Sequence, residues 1–257
     1  MTGSAHRRTG ASRYRERVPL VAAAVCPHPP LLVPEVAGAA AAELDALRAA
    51  CDAALSRLLA AEPDCVVVLG SGPSTEWIIP PAIGTLGPFG VDLTVPLAPT
   101  LGEAGGGAVL PISLTIGAWL LARHPVRARV VGVQVAPAAS ADEVTRLAEE
   151  VDEYRPRVGL LTMGDGSACR GQKAPGYDDP RAQAYDESVA TALASADAEA
   201  LLGLDPVLSA ELKVAGRAPW QVLAGAVRAA GGDWRGELHY AAAPYGVAYF
   251  VAGWEAA

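Results

Sequence analysis

The sequence has no Cys-x-x-Cys pair. Its four cysteines, Cys26, Cys51, Cys65 and Cys169, stand far apart, which excludes a zinc knuckle and a dithiol redox centre. Isolated thiols of this kind fit a reducing, cytoplasmic setting. Three sit in or beside apolar segments, where free cysteine packs as a small hydrophobe; Cys169, in a polar loop, is the one to test for reactivity. Basic residues are also few: Lys and Arg number 20 against 28 Asp and Glu, lysine is scarce, the net charge is −8 and the pI is near 5.0. The clustered cations that displace counterions from phosphate are missing, so nucleic acid is not an expected partner. No stretch reaches the roughly 18 uninterrupted apolar residues of a membrane span. The arginine-rich opening imitates a lipoprotein signal. Its apolar run is only about eight residues, however, and Val25 stands where a small residue is required before the cysteine. Residues 1–17 therefore read as a disordered basic tail, with His6 inert in it, ahead of one domain at 18–257.

With 257 residues, 51% hydrophobic and 19% charged, the chain can bury a full core. Residues 18–25, 65–69 and 158–163 are short apolar runs of the kind buried on both faces of a sheet. Between them, 39–61 carries leucines at mostly helical spacing and ends before Pro63. Further strands are expected at 91–97 and 127–135, the first followed by a Gly- and Pro-rich run to Pro111. Helices are expected at 112–123 and 141–154, the latter with Ser140 as N-cap. Asp179-Pro180 marks the start of a helix to about 196, and Asp205-Pro206 and Ala218-Pro219 open two more. Two closing runs, 237–242 and 246–252, read as strands of the same sheet or its edge. Strands alternating with helices predict an α/β fold: a single three-layer domain with a mixed, mostly parallel central sheet flanked by helices.

Two strand ends carry polar chemistry. The first strand runs into Cys26-Pro27-His28-Pro29-Pro30, where three prolines fix φ and remove N–H groups, so the loop neither extends the strand nor opens a helix. Open α/β sheets gather their sites at strand carboxyl ends, which makes His28 a candidate ligand; a backbone hydrogen bond that closes the turn is the equal alternative. The strand at 158–163 runs into Gly164-Asp165-Gly166-Ser167-Ala168-Cys169-Arg170. Its glycines let backbone N–H groups approach an anion, Asp165 has the chemistry of a general base, and Arg170 or Lys173 could hold a carboxylate or phosphate. Asp and Ser after a strand also simply cap turns, and 170–181 also reads as a charge-balanced surface loop. Gly70-Ser71-Gly72-Pro73 lacks the third glycine of a dinucleotide fingerprint and the Gly-Lys-Ser/Thr of a P-loop. The expected partner is a small molecule, with a homo-oligomer left open.

These three loops on similar strands, Cys26-Pro27-His28-Pro29-Pro30, the Gly70-Ser71-Gly72 end of the second strand, and Gly164-Asp165-Gly166-Ser167-Ala168, together resemble the catalytic-subunit family of class III extradiol ring-cleavage dioxygenases and the related Memo-like proteins. The likeness covers nearly the whole chain from Val18 onward. It implies a non-haem Fe(II) held by a first-strand His, a second-strand His and a later acidic residue, with open positions for catecholate and O₂, and a further His as acid and base. His28 matches the first ligand. Gly70-Ser71-Gly72-Pro73 stands where the family has Ser-Pro-His, Ala168 stands where the acid/base His belongs, and Tyr240 to Pro244 offers neither carboxylate nor thiolate. Glu255 lies close to the end of the sequence.

Three functions follow. The first, carried by the resemblance, is an Fe(II)-dependent oxidoreductase on aromatic diols with His28 as metal ligand and His239, Glu35, Glu76 or Asp165 supplying what is missing. His239 equally fits a core histidine, Glu35 a helix start and Glu76 a solvated loop; His124, beside Pro125, fits a helix C-cap. The second is a metal-independent enzyme whose catalytic loop carries Asp165 and Ser167, with Arg170 and Lys173 on the substrate. The third is a non-catalytic binding or scaffold protein on the same fold. An aromatic content of 5% leaves open whether a catechol finds a stacking partner, since Trp77, Trp119, Trp220, Trp234 and Trp254 all fit a core.

Overall fold

Four segments rich in Val, Leu and Ala form the centre of a computed structural model that describes residues 20–98 and 107–257. The basic tail at 1–17, the first residues of the expected opening strand and part of the Gly- and Pro-rich run lie outside the described residues. In chain order the elements are β1 (Leu20–Cys26), α1 (Pro34–Ala37), α2 (Asp45–Ala60), β2 (Cys65–Ser71), β3 (Glu76–Ile78), β4 (Ala82–Thr85), β5 (Thr94–Pro96), β6 (Ala108–Val109), α3 (Ile112–Ala122) and β7 (Arg129–Val135). They continue with α4 (Ala141–Glu153), β8 (Val158–Met163), α5 (Ala182–Ser195), α6 (Ala198–Leu202), α7 (Pro206–Glu211), α8 (Arg217–Ala230), β9 (Trp234–Ala242) and β10 (Tyr249–Ala256). The main sheet runs β3-β7-β2-β8-β1-β10-β9. Its inner strands β7, β2, β8 and β1 are parallel, and antiparallel strands close both edges. The fold is the expected three-layer α/β architecture with a mixed, mostly parallel sheet.

Side chains alternate across a strand, so each inner strand feeds two cores. Ala23, Val25, Val67, Leu69, Val133 and Leu160 pack with α4, α5 and α8 on one face. Ala24, Cys26, Val66, Val68, Leu161 and Met163 pack with α2 and α3 on the other. Helix starts follow local chemistry. Ser140 accepts from the Glu143 N–H while Glu143 reaches back to Ser140, a full capping box, and Asp205 caps the helix that Pro206 opens.

Several expectations are corrected. Residues 38–44 form a 3₁₀ turn before α2 begins at Asp45. Gly70 and Ser71, read as loop, still pair with Gln134 and Val135. The strand expected at 91–97 is only Thr94–Pro96 and belongs to a separate sheet of order β5-β4-β6. Asp179 does not cap α5: its Oδ1 accepts from the Arg181 N–H at 2.9 Å and its carboxylate grips the Arg181 guanidinium, and α5 starts at Ala182. The His124 imidazole turns to Asp52 of α2, with Nε2 3.3 Å from Oδ1. Among the described residues no helix is long and apolar enough to cross a membrane.

Helix α3 lies close on the sheet because Gly117 has no side chain. A Cβ there would stand 2.6 Å from Val68 Cγ1 and 3.1 Å from Met163 Sδ. Gly117→Val is expected to destabilise the fold by about 1–3 kcal/mol, read as a lower urea midpoint at unchanged slope.

Candidate functional site

Strand register brings three polar side chains level at the carboxyl edge of the sheet. β1 pairs with β8 at Cys26↔Met163 and with β10 at Val25↔Ala252. Continuing both registers past the last paired residues puts His28 level with Asp165 on one side and Tyr249 on the other. Backbone bonds hold that extension in place: Gly164 N–H donates to Cys26 O at 2.9 Å, Gly166 N–H to Ala248 O at 2.7 Å and Ala248 N–H to Ser167 O at 2.8 Å. The His28 N–H donates to Asp165 Oδ1 at 2.8 Å. His28 therefore does serve the turn through its backbone, and its ring remains unspent.

The His28 Nδ1 stands 3.6 Å from Asp165 Oδ1, beyond hydrogen-bond reach, and is buried without a partner. Burial pushes the Asp165 carboxyl above its ordinary value, opposed by the His28 charge and N–H. Its Oδ2 accepts no hydrogen bond among the described residues. Tyr249 is 3% exposed; burial, then the Asp165 charge, raises its phenol, which therefore stays protonated. Thr162 Oγ1, at the end of β8, and Trp220 Nε1, on α8, are also buried without partners. The Trp220 Nε1 lies 2.8 Å from where a Cβ on Gly164 would be. Orphaned buried polar atoms cost about 1–3 kcal/mol each; Thr162 and Trp220 belong to the α8 face of the sheet, whereas His28 Nδ1 lies at the edge beside Asp165.

The other expected site residues divide. Ser167 and Arg170 meet at Asp186 of α5, not at the His28 ring. Asp186, 3% exposed, accepts from the Ser167 N–H at 2.9 Å, the Ser167 hydroxyl at 2.6 Å and Arg170 Nη1 at 3.1 Å. Both donors are thus engaged in pinning the loop. Lys173 is exposed. Cys169, the cysteine to test for reactivity, is 1% exposed, within 3.5 Å of Gly176 O and Leu212 O, and burial raises its thiol pKa, which disfavours the reactive thiolate. Of the residues proposed to complete a metal set, Glu35 is exposed on α1, and Glu76 is exposed and accepts from Gln134 and Ser74. His239 faces Glu237 on the edge strand β9. Only Asp165 reaches His28.

Iron fits this arrangement poorly. Among the described residues no three His, Cys, Asp or Glu side chains come together, whereas the facial triad needs three. The β2–β8 register, Leu69↔Thr162, continues to Gly72 level with Asp165, where the resemblance would put a second-strand ligand. A Cβ on Gly72 would fall against the Gln134 side chain, which therefore fills that position. Tyr249 and Gln134 were not singled out by sequence; the signal for each is register with a strand distant in the chain.

The chain is an α/β protein whose strand ends hold a His–Asp–Tyr row. No family model matches it, and no curated protein matches it. Among solved structures it is similar to an uncharacterized protein from Escherichia coli K12, at 14% identity and a TM-score of 0.47, covering 91% of this chain and 99% of that one.

Because the folded Asp165 carboxyl has a pKa above its ordinary 3.8, its contribution is fully present below that pH and is lost as pH rises through the folded value. Asp165→Asn is expected to match the parent in acid and to gain on it as pH rises, by about 1.4 kcal/mol for each tenfold by which folding raises the proton affinity of Asp165. Urea unfolding across pH checks this; a parallel pair of stability curves would refute it.

Proposed function

We propose that this protein is a metal-independent relative of the extradiol dioxygenases that binds a small hydroxylated aromatic ligand at the His28–Asp165–Tyr249 row and exchanges a proton with it. The reading rests on one observation: at a single level of the sheet edge, Asp165 Oδ2, His28 Nδ1 and the Tyr249 hydroxyl make no hydrogen bond among the described residues. Asp165 is the base. Burial raises its proton affinity, which moves its pKa toward that of its task, and the His28 N–H fixes its orientation through Oδ1. The proton leaves the ligand hydroxyl for Oδ2. The neutral Tyr249 phenol donates to the oxygen left behind, and the His28 ring, its Nδ1 without a hydrogen-bond partner, stands beside it. Ser167, Arg170 and Asp186 hold the loop that carries Asp165. The four cysteines are free and buried, which supports the cytoplasmic assignment.

The test is a titration of the full chain with 4-nitrocatechol in EDTA, followed by the visible absorbance that reports ionisation of the ring hydroxyl. Saturable binding with a shift toward the ionised spectrum is expected, weakened at least tenfold, about 1.4 kcal/mol, in Asp165→Asn and less in Tyr249→Phe. No saturable binding overturns the proposal. So does one Fe(II) per chain after anaerobic loading, lost in His28→Ala and accompanied by O₂-dependent ring opening, which would assign the iron chemistry of the family instead.

A further inference from the structure

A second charged feature lies on the α8 side of the same edge. A cleft of about 310 Å³ is lined by Pro137, Pro206, Ser209, Lys213, Ala215 and Arg217 and contains no acidic side chain. Arg217 is 5% exposed, yet its guanidinium meets only neutral acceptors: Nη1 donates to Gln221 Oε1 at 2.7 Å, and Nη2 donates to Pro137 O and to Ala139 O. A guanidinium has five N–H donors. Nε and one Nη1 proton therefore remain without a partner among the described residues. A buried cation is ordinarily paired with an anion, and here burial lowers the Arg217 pKa with no carboxylate to restore it. Lys213 is exposed, with no ion pair among the described residues. The Ser209 hydroxyl already donates to Asp205 O at 2.6 Å and meets the Tyr185 hydroxyl at 2.7 Å. Ala215 and Arg217 flank Gly216, the N-cap of the 14-residue helix α8, so the positive end of that helix adjoins the cleft.

We propose that this cleft is a binding site for the phosphate group of a small molecule, held by Arg217 from inside and Lys213 from the rim. Two positive charges without a counter-charge match a dianion better than a carboxylate. The planar guanidinium offers directed N–H donors, and the ammonium a mobile point charge that closes on the bound group. The site is separate from the His28–Asp165–Tyr249 row and does not depend on the reading given to that row.

Calorimetric titration of the full chain with inorganic phosphate, against chloride at matched ionic strength, tests the assignment. One saturable phosphate per chain is expected, at least tenfold weaker in Lys213→Ala and in Arg217→Lys, and unchanged in Arg235→Ala, which removes an exposed cation elsewhere. Thermal melts of each variant separate lost binding from lost fold. Lys213→Ala removes an exposed side chain, so it keeps the test valid where Arg217→Lys unfolds. Absence of saturable binding, equal affinity in folded Lys213→Ala, or acetate binding as tightly as phosphate would each overturn the proposal.

Discussion

Burial of four parallel strands on both faces is the constraint from which the rest of this structure follows. A strand packed on two sides has little room for polar side chains, so β7, β2, β8 and β1 are mostly Val, Leu, Ala and Gly, with Thr162 of β8 an exception whose buried hydroxyl has no partner among the described residues. Polar chemistry is pushed to where the strands stop. At those stops the neighbours on each side still impose their register for two or three residues, which is why His28, Asp165 and Tyr249 arrive level with one another. The Cys26-Pro27-His28-Pro29-Pro30 run then turns the chain away before His28 is absorbed into the ladder. The row is a consequence of where the apolar runs end and how they pair.

That origin explains what the sequence disclosed. Strand interiors and helix caps depend on neighbours in the chain, and 158–163, Ser140 and Asp205-Pro206 were legible because apolar run, capping box and Asp-Pro are local signals. His28 and Asp165 were legible for the same reason: each follows an apolar run directly. Their meeting was not, because the bond that joins them spans 137 residues. Tyr249 was hidden further, since its place depends on the antiparallel pairing of β10 with β1. The small sheet escaped because β5 and β6 are three and two residues long, too short for any period to register. Asp179-Pro180 misled because the carboxylate found a stronger partner in Arg181 than in the helix N–H groups.

Two carboxylates, Asp165 in the loop after β8 and Asp186 on α5, differ in their energetics. Asp186 is buried, and although burial still pushes its carboxyl above the ordinary value, three donors from Ser167 and Arg170 surround it, so it acts as a fastener. Asp165 is mostly buried, with one backbone donor and an imidazole at 3.6 Å. A sequence selected for stability alone would place an amide there. An acid kept there, beside the unpartnered His28 Nδ1, accords with the proposed proton exchange at a cost in stability.

The two charged features of the carboxyl edge share one turn. Gly216 N–H donates to Asp165 O at 2.8 Å, and Ser71 Oγ, at the end of β2, donates to Ala215 O at 2.5 Å, so residues 215–217 are tied at once to the Asp165 loop, to β2 and, through Arg217, to the phosphate cleft. This approach needs paired glycines. A Cβ on Gly164 would stand 2.7 Å from Gly216 Cα, and one on Gly216 would fall into the Trp220 ring. Only with both positions bare can the start of α8 press against the end of β8. Residues 215–217 thus join the Asp165 loop to the edge of the cleft through a backbone bond and a contact that leaves no room for a side chain.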